Sequence, residues 1–433
     1  MRINRELFLK NLPEKYSEIF SKGLIHNWTV EACADKFNFP PRVGIVDTTL
    51  RDGEQQPGVF FTPEQKVEIV KGLAEAKIDA AEIGYPAVSE EEMRACRMIA
   101  KEKVGILTFV MARAKKSDID AAVQADAKAV DLFTSSSEFH IRYKLKITPE
   151  ENIRMYLEAL DYAKDHGLLI AFGREDCSRA HIPYLVEIIK KAKEAAGNRW
   201  GGTAISDTTG SLTPSATQWL VSTLRKEMPN IPFGLHFHND FGMATANTLA
   251  GIEAGASGAI GTLMGIGERA GNAPLEEVVL ALRVLYGIRL SVKIDKLYEV
   301  CKMVSKYSGI PIPVQKPVIG ANAFKHESGI HAAGVLAHPL IYEPIPAELL
   351  GRTTTYWFGK FSGSAVVEST LRSKGIEPTR EQLNEIVQRI KDIQTKQNKQ
   401  EFEKFVEEYD RVMGRMGLND DEIVAIAKKV MGK

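Results

Sequence analysis

The chain is poor in cysteine: Cys33, Cys96, Cys177 and Cys301 are scattered through 433 residues and form no C-x-x-C pair. That usage excludes a disulfide scaffold and a cysteine-based metal site, and it fits a reducing compartment. Charge of one sign is lacking too, since 56 Lys and Arg balance 56 Asp and Glu. A balanced chain offers no electrostatic footprint for nucleic acid or for an anionic membrane surface. No uninterrupted apolar run approaches the length of a membrane span. The first residues, Met1-Arg2-Ile3-Asn4-Arg5-Glu6, have no apolar signal core, so a cytoplasmic location is expected. Proline and glycine are not concentrated enough for disorder. No G-x-G-x-x-G follows the first apolar run, which disfavours a dinucleotide fold.

What remains is an ordinary soluble composition, 44% apolar and 26% charged, long enough for one large domain and a smaller one. Residues 1–40 read as a helical extension. Phe8, Leu12, Tyr16 and Phe20 recur at helical spacing, with Pro13 breaking the run, and would cover the barrel's bottom or a neighbouring subunit. From Val43 a β-then-α rhythm sets in. Short apolar runs fall at Val43–Asp47, Ala80–Gly84, Val104–Val110, Ala129–Phe133, Leu168–Phe172, Thr203–Ser206, Phe233–His238 and Ser257–Leu263. Amphipathic segments lie between them. The first is well punctuated, with Thr62 as N-cap, Pro63 at the first helical position and Gln65 closing a capping box. Strands alternating with helices predict a parallel sheet. Eight such units fit an α/β fold closed as a (β/α)8 TIM barrel over residues 41–290 better than an open doubly wound sheet. Beyond it the rhythm stops. A linker and subdomain over 291–375 and a helical tail over 376–433, rich in Lys and Glu, make a smaller, mostly helical C-terminal region.

The chemistry gathers around Leu235-His236-Phe237-His238-Asn239-Asp240. Residues i and i+2 of a strand share a face, so both imidazoles project together at a spacing that suits one divalent metal. The plain alternative is two polar residues at a strand end. An acidic partner is available in Asp47-Thr48-Thr49-Leu50-Arg51-Asp52-Gly53-Glu54-Gln55, which also follows an apolar run. Barrel chemistry sits at the C-terminal ends of strands. There the sequence places Arg51, Asp52, Tyr85, Thr134, Glu175, Asp176, Asp207, Thr208, His236 and His238. After the last strand, Gly265-Ile266-Gly267-Glu268-Arg269-Ala270-Gly271-Asn272-Ala273 allows close backbone approach.

Four motifs in register, D-T-T-L-R-D-G-E-Q, H-F-H-N-D, G-I-G-E-R-A-G-N and H-E-S-G-I-H, resemble the 2-isopropylmalate and homocitrate synthase family over residues 43 to 370. The N-terminal extension lies outside the resemblance, and so does the leucine-binding regulatory domain of many isopropylmalate synthases. The resemblance implies an acyltransferase of amino-acid biosynthesis that condenses acetyl-CoA with a 2-oxo acid and releases CoA. It implies Asp52, His236, His238 and Asn272 as ligands of Mn, Mg or Zn. Arg51 would steady the oxyanion, Thr208 would grip the 2-oxo acid's carboxylate, and Glu175 would act in the site. His331 and Tyr342 match catalytic residues of the second subdomain that reach the partner's barrel, which implies a homodimer with shared active sites. Tyr85, Phe109, Thr134 and Arg174 are further candidates for contact with substrate.

Lysine-pathway homocitrate synthases have a glutamate where Asp52 stands, a histidine at Phe109 and an arginine at Ala171. Their absence leaves an apolar wall and favours the 2-isopropylmalate type. The stretches Glu175–Ala180 and Ala244–Thr248, and the unusual Arg174, point instead to a homocitrate type that takes an anionic 2-oxo acid. A carbon–carbon lyase of the same superfamily would have a cysteine in the glycine-rich loop, where this chain has Glu268. A metal-binding regulator without catalysis is the remaining alternative, and it conflicts with the filled site positions.

Overall fold

Eight parallel strands pair in sequence order, and the eighth closes on the first. The computed structural model describes residues 5–10, 12–396 and 399–432. The strands are β1 (Gly44–Asp47), β2 (Ala80–Glu82), β3 (Leu107–Arg113), β4 (Ala129–Ser135), β5 (Leu169–Glu175), β6 (Trp200–Asp207), β7 (Phe233–Phe237) and β8 (Gly258–Gly261). Helices alternate with them, as the apolar rhythm predicts. The capping box read from the sequence is present: Gln65 N–H donates to Thr62 Oγ1, and Thr62 N–H to Gln65 Oε1. Thr148 and Glu151 repeat it at the start of Pro149–Asp165. Each such cap contributes about 1 kcal/mol and fixes where a strand-end loop stops.

Strand limits differ from the apolar runs where turns intrude. Lys103 and Gly105 take positive φ after the helix Glu90–Glu102, so β3 begins at Leu107 rather than at Val104. β6 begins at Trp200, where Gly201 lets the chain bulge against Ile170, and a Trp-Gly-Gly start carries no apolar signal. β8 stops at Gly261 because Met264 turns the chain into left-handed backbone.

Alternation decides the packing. Val130, Leu132, Ile170, Phe172, Ile205 and Leu235 are fully buried between strands and helices. Inside the barrel, branched side chains normally fill the lumen in layers. Here the lower inward positions are Gly44, Ala80, Ala129, Gly202, Gly234 and Gly258, and the lumen holds a cavity of about 560 Å³. A Cβ built on Gly202 would meet nothing within 4 Å. The N-terminal segment packs at the opposite end from the strand C-termini. Asn38 N–H donates to Glu253 O and Asn27 Nδ2 to Leu285 O, both at helix ends.

Contacts divide the chain into two compact units, 1–56 with 60–312 and 57–59 with 313–433. In the second, the strands Lys325–His326 and Thr355–Tyr356 pair in parallel. Ala332, Val366, Val367, Leu383 and Val387 form its core. Among the described residues, no helix is long and apolar enough to cross a membrane.

Candidate functional site

At the C-terminal mouth of the barrel, Asp52, His236 and His238 bring one ligand atom each to within 4.8 Å of one another. β7 supplies His236 directly and ends just before His238, so both rings keep the same parity. Asp52 stands in the turn after β1, two strands away through β8. Its Oδ2 lies 3.0 Å from His236 Nε2 and 3.8 Å from His238 Nε2. Asn272 joins them, because residues 238 and 272 form an isolated antiparallel bridge. The glycine-rich loop achieves this approach by lacking side chains. A Cβ on Gly267 would lie 2.2 Å from Asn272 Nδ2, and one on Gly271 1.9 Å from Gly265 O.

Two buried acceptors of the cluster, Asp52 Oδ1 and Asn272 Oδ1, have no hydrogen-bond partner. Buried polar groups are normally satisfied. Two imidazole nitrogens, a carboxylate and an amide oxygen make a donor set that fits a divalent cation such as Mn, Mg or Zn. Burial alone would raise the Asp52 pKa, but Arg51 and His236 outweigh it and hold the carboxyl well below its usual range. Burial, aided by His236, lowers His238 to about 4. Both residues are therefore in ligand form at neutral pH.

Arg51 bridges two carboxylates. Its Nε donates to Glu82 at 2.8 Å and its Nη1 lies 3.1 Å from Asp52. Burial disfavours its charge, yet Glu82 and Asp52 raise its pKa overall, so the guanidinium is a fixed cation beside the ligand cluster. Glu175 faces the cavity, accepts from Ser135 Oγ at 3.1 Å and pairs with Lys144. Thr208 also lines it, and its Oγ1 accepts the Asp176 N–H at 2.8 Å. Arg269 ties the glycine-rich loop to this corner through Asp240 and Thr208 O. Phe109 lines the wall with Met111 and Ala171.

Two other candidates, Tyr85 and Thr134, are not brought to the cavity. Tyr85 is turned away after Gly84, and its hydroxyl donates to Asp118, which Arg113 also holds. Thr134 has the outward parity of β4 and donates to Asn152 Oδ1 at 2.6 Å. Arg174 borders the lumen, but it leaves β5 on the opposite parity from Gly173 and Glu175. Its guanidinium lies over Phe172 and donates to Ala204 O. His331 and Tyr342 belong to the second unit, where their rings stack at 4.1 Å. The sequence reading missed Glu82 and Asp131, which line the lumen. It also missed buried Lys66, whose ammonium joins Leu50 O, Glu54 and Glu92.

Residues 42–304 match the HMGL-like family, and residues 318–398 match the homocitrate synthase post-HMGL domain-like family. The chain is 43% identical over 369 residues to the 2-isopropylmalate synthase of Methanocaldococcus jannaschii, covering 84% of this chain and 70% of that protein. It is 42% identical over 356 residues to the homocitrate synthase AksA of Methanothermobacter thermautotrophicus, covering 82% and 90%. The (R)-citramalate synthase CimA of Methanocaldococcus jannaschii is 39% identical over 393 residues, covering 90% of this chain and 75% of that protein. Among solved structures, the hydroxymethylglutaryl-CoA lyase of Pseudomonas aeruginosa shares the fold, with a TM-score of 0.56 at 20% identity over 63% of this chain and 95% of that one.

Proposed function

The chain belongs to the HMGL-like family, and from that membership and its barrel site we propose that it condenses acetyl-CoA with a 2-oxo acid, releasing CoA and a 2-substituted malate of the 2-isopropylmalate type. The observation that carries this reading is the Asp52–His236–His238 cluster beside a committed arginine, at the mouth of a hollow barrel. Asp52, His236, His238 and Asn272 would hold the divalent ion, which when bound supplies Lewis-acid polarisation of the keto carbon. Arg51 opposes the negative charge that develops on the former keto oxygen as the acetyl enolate attacks. It is preorganised for this by Glu82 and Asp52, so it need not reorient during the reaction. Thr208 presents a hydroxyl at the cavity wall for the 2-oxo acid's carboxylate, and Glu175 a carboxylate on the same rim. Hydrolysis of the malyl-CoA-type adduct then frees the CoA thiol. Phe109, Met111 and Ala171 give the side chain an apolar wall, which favours an uncharged 2-oxo acid such as 2-oxoisovalerate. In the homodimer we infer, His331 and Tyr342 of the second unit serve the partner's barrel.

The test is release of free thiol from acetyl-CoA across a panel of 2-oxo acids, before and after chelation. Release with 2-oxoisovalerate, abolished by chelator and restored by a divalent metal, is expected. No release with any acid would refute the condensation, and release that survives thorough metal stripping would refute the metal's part. Best turnover with 2-oxoglutarate would transfer the chain to the homocitrate type.

A further inference from the structure

The cavity does not end at the metal-ligand cluster. It continues down the lumen between Glu82 and Asp131 to Leu107 and Leu169. Small residues make that room, and two carboxyls stand in it. Asp131 faces inward from β4, while its neighbours Val130 and Leu132 are fully buried on the other face. Space for its carboxyl is left by Gly173 on β5, whose Cβ would fall 2.6 Å from Asp131 Oδ1. Resting on the condensation reading above, we propose that Asp131 is a specificity-determining residue that, with Glu82, excludes 2-oxo acids whose side chain ends in a carboxylate and admits uncharged ones.

With the head group of the 2-oxo acid at the ligand cluster, its side chain has the lumen as the adjoining space. A distal carboxylate there would need a cation. Arg51 is already shared between Asp52 and Glu82. Arg269 is held by Asp240 at the rim. Arg174 borders the cavity, but its side chain leaves β5 on the outward parity over Phe172 and donates to Ala204 O. Its Nε and Nη1 are unpartnered, and an incoming carboxylate would have to compete with Asp131 for that charge. Against these stand Asp131 and the buried, unpartnered Oε1 of Glu82. Burial, and after it the nearby Glu82, push the Asp131 pKa up to about 7 against the pull of Arg51 and Arg174, so negative charge is already disfavoured at this point of the lumen. A further carboxylate is opposed by repulsion, which is how a site rejects a competitor it has room for. An alkyl chain meets no such opposition from Phe109, Ala171 and Ile260.

The experiment compares kcat/KM for 2-oxoglutarate with that for 2-oxohexanoate, which tests charge with comparable reach, in the full-length protein and in Asp131→Asn and Asp131→Ala. The unmodified protein is expected to prefer 2-oxohexanoate. Both variants should shift the ratio toward 2-oxoglutarate by roughly tenfold or more, the scale expected when a like charge is removed. Bound metal and Tm should be close to unchanged, which separates a specificity effect from misfolding. A preference of the unmodified protein for 2-oxoglutarate overturns the proposal even if neither variant folds. So does an unchanged ratio in folded variants. Thiol release with none of the acids would refute the condensation itself, and this proposal with it.

Discussion

His236 Nε2 lies 3.0 Å from Asp52 Oδ2, although 184 positions separate the two residues (236 minus 52) and Asp52 stands in the turn after β1, which is not a neighbour of the β7 that carries His236. Closure of the barrel creates that contact, and with it the ligand set. His236→Ala or His238→Ala removes one imidazole donor from the set. Each variant is expected to lose bound metal and essentially all turnover, read by metal analysis and thiol release. Full activity in either after metal stripping would remove the cluster from the reaction.

Arg51 makes a different prediction, because its planar fork spans Glu82 and Asp52 at once. Arg51→Lys keeps the charge and loses the fork. Loss of a preorganised oxyanion donor typically costs about 10²–10³ in rate. A fall of that order in kcat is expected with metal content unchanged. Lost metal with normal kcat per bound metal would show that Arg51 supports Asp52 and does not act on the reacting oxygen.

The depressed pKa of His238 sets a pH dependence for the metal-free protein. Burial lowers it from 6.5 to about 4, so between these values the unfolded chain binds a proton that the folded chain does not. Stability from this residue is therefore complete above about pH 6.5 and lost as pH falls toward 4, with a slope of up to about 1.4 kcal/mol per pH step of one. Urea unfolding of metal-free protein at several pH values should show that slope, and His238→Asn should reduce it. Parallel slopes in the two proteins would assign the acid sensitivity elsewhere.

Lys66 holds the turn that carries Arg51 and Asp52. Its side chain is wholly buried, with Glu54 and Glu92 each at 2.6 Å and Leu50 O at 3.0 Å. Lys66→Met would leave two partly buried carboxylates without their cation. Breaking a buried pair in this way costs about 3–5 kcal/mol, so a lower urea midpoint is expected. A midpoint within experimental error of the unmodified protein would mean that the two glutamates find other partners.

These sites were legible to different degrees, for physical reasons. The barrel could be read because each strand is a short apolar run and each helix carries its own cap, as at Thr62 and Thr148. The ligand cluster could be read because H-x-H on a strand fixes a common face. Strand parity decides the direction of two further side chains. Thr134 and Arg174 sit near strand ends, but one position of alternation turns Thr134 to Asn152 and Arg174 toward Phe172. Tyr85 was lost to the turn at Gly84, a backbone conformation with no sequence signal beyond the glycine itself. Glu82 and Asp131 escaped notice because they lie within apolar strands, where a lone acid passes as a strand-end residue. Their meaning depends on the glycines and alanines opposite, which only the closed barrel brings together.

Active sites shared between subunits behave differently from self-contained ones when inactive variants are mixed. His331 and Tyr342 stack in the second unit, and His331 is exposed there. The family resemblance implies that such residues complete the barrel of a partner copy. Suppose inactive His331→Ala and inactive His238→Ala proteins are unfolded together and refolded as a mixture. If sites are shared, each heterodimer holds one site with His238 from one chain and His331 from the other, beside one site that lacks both. With random pairing, half the dimers are heterodimers with one intact site of two, so about a quarter of normal activity should return. If each chain serves its own site, every site keeps one lesion and the mixture stays inactive. Heterodimers confirmed by mass with no recovered thiol release would refute sharing, and a monomeric, fully active enzyme in solution would refute it without the mixing experiment.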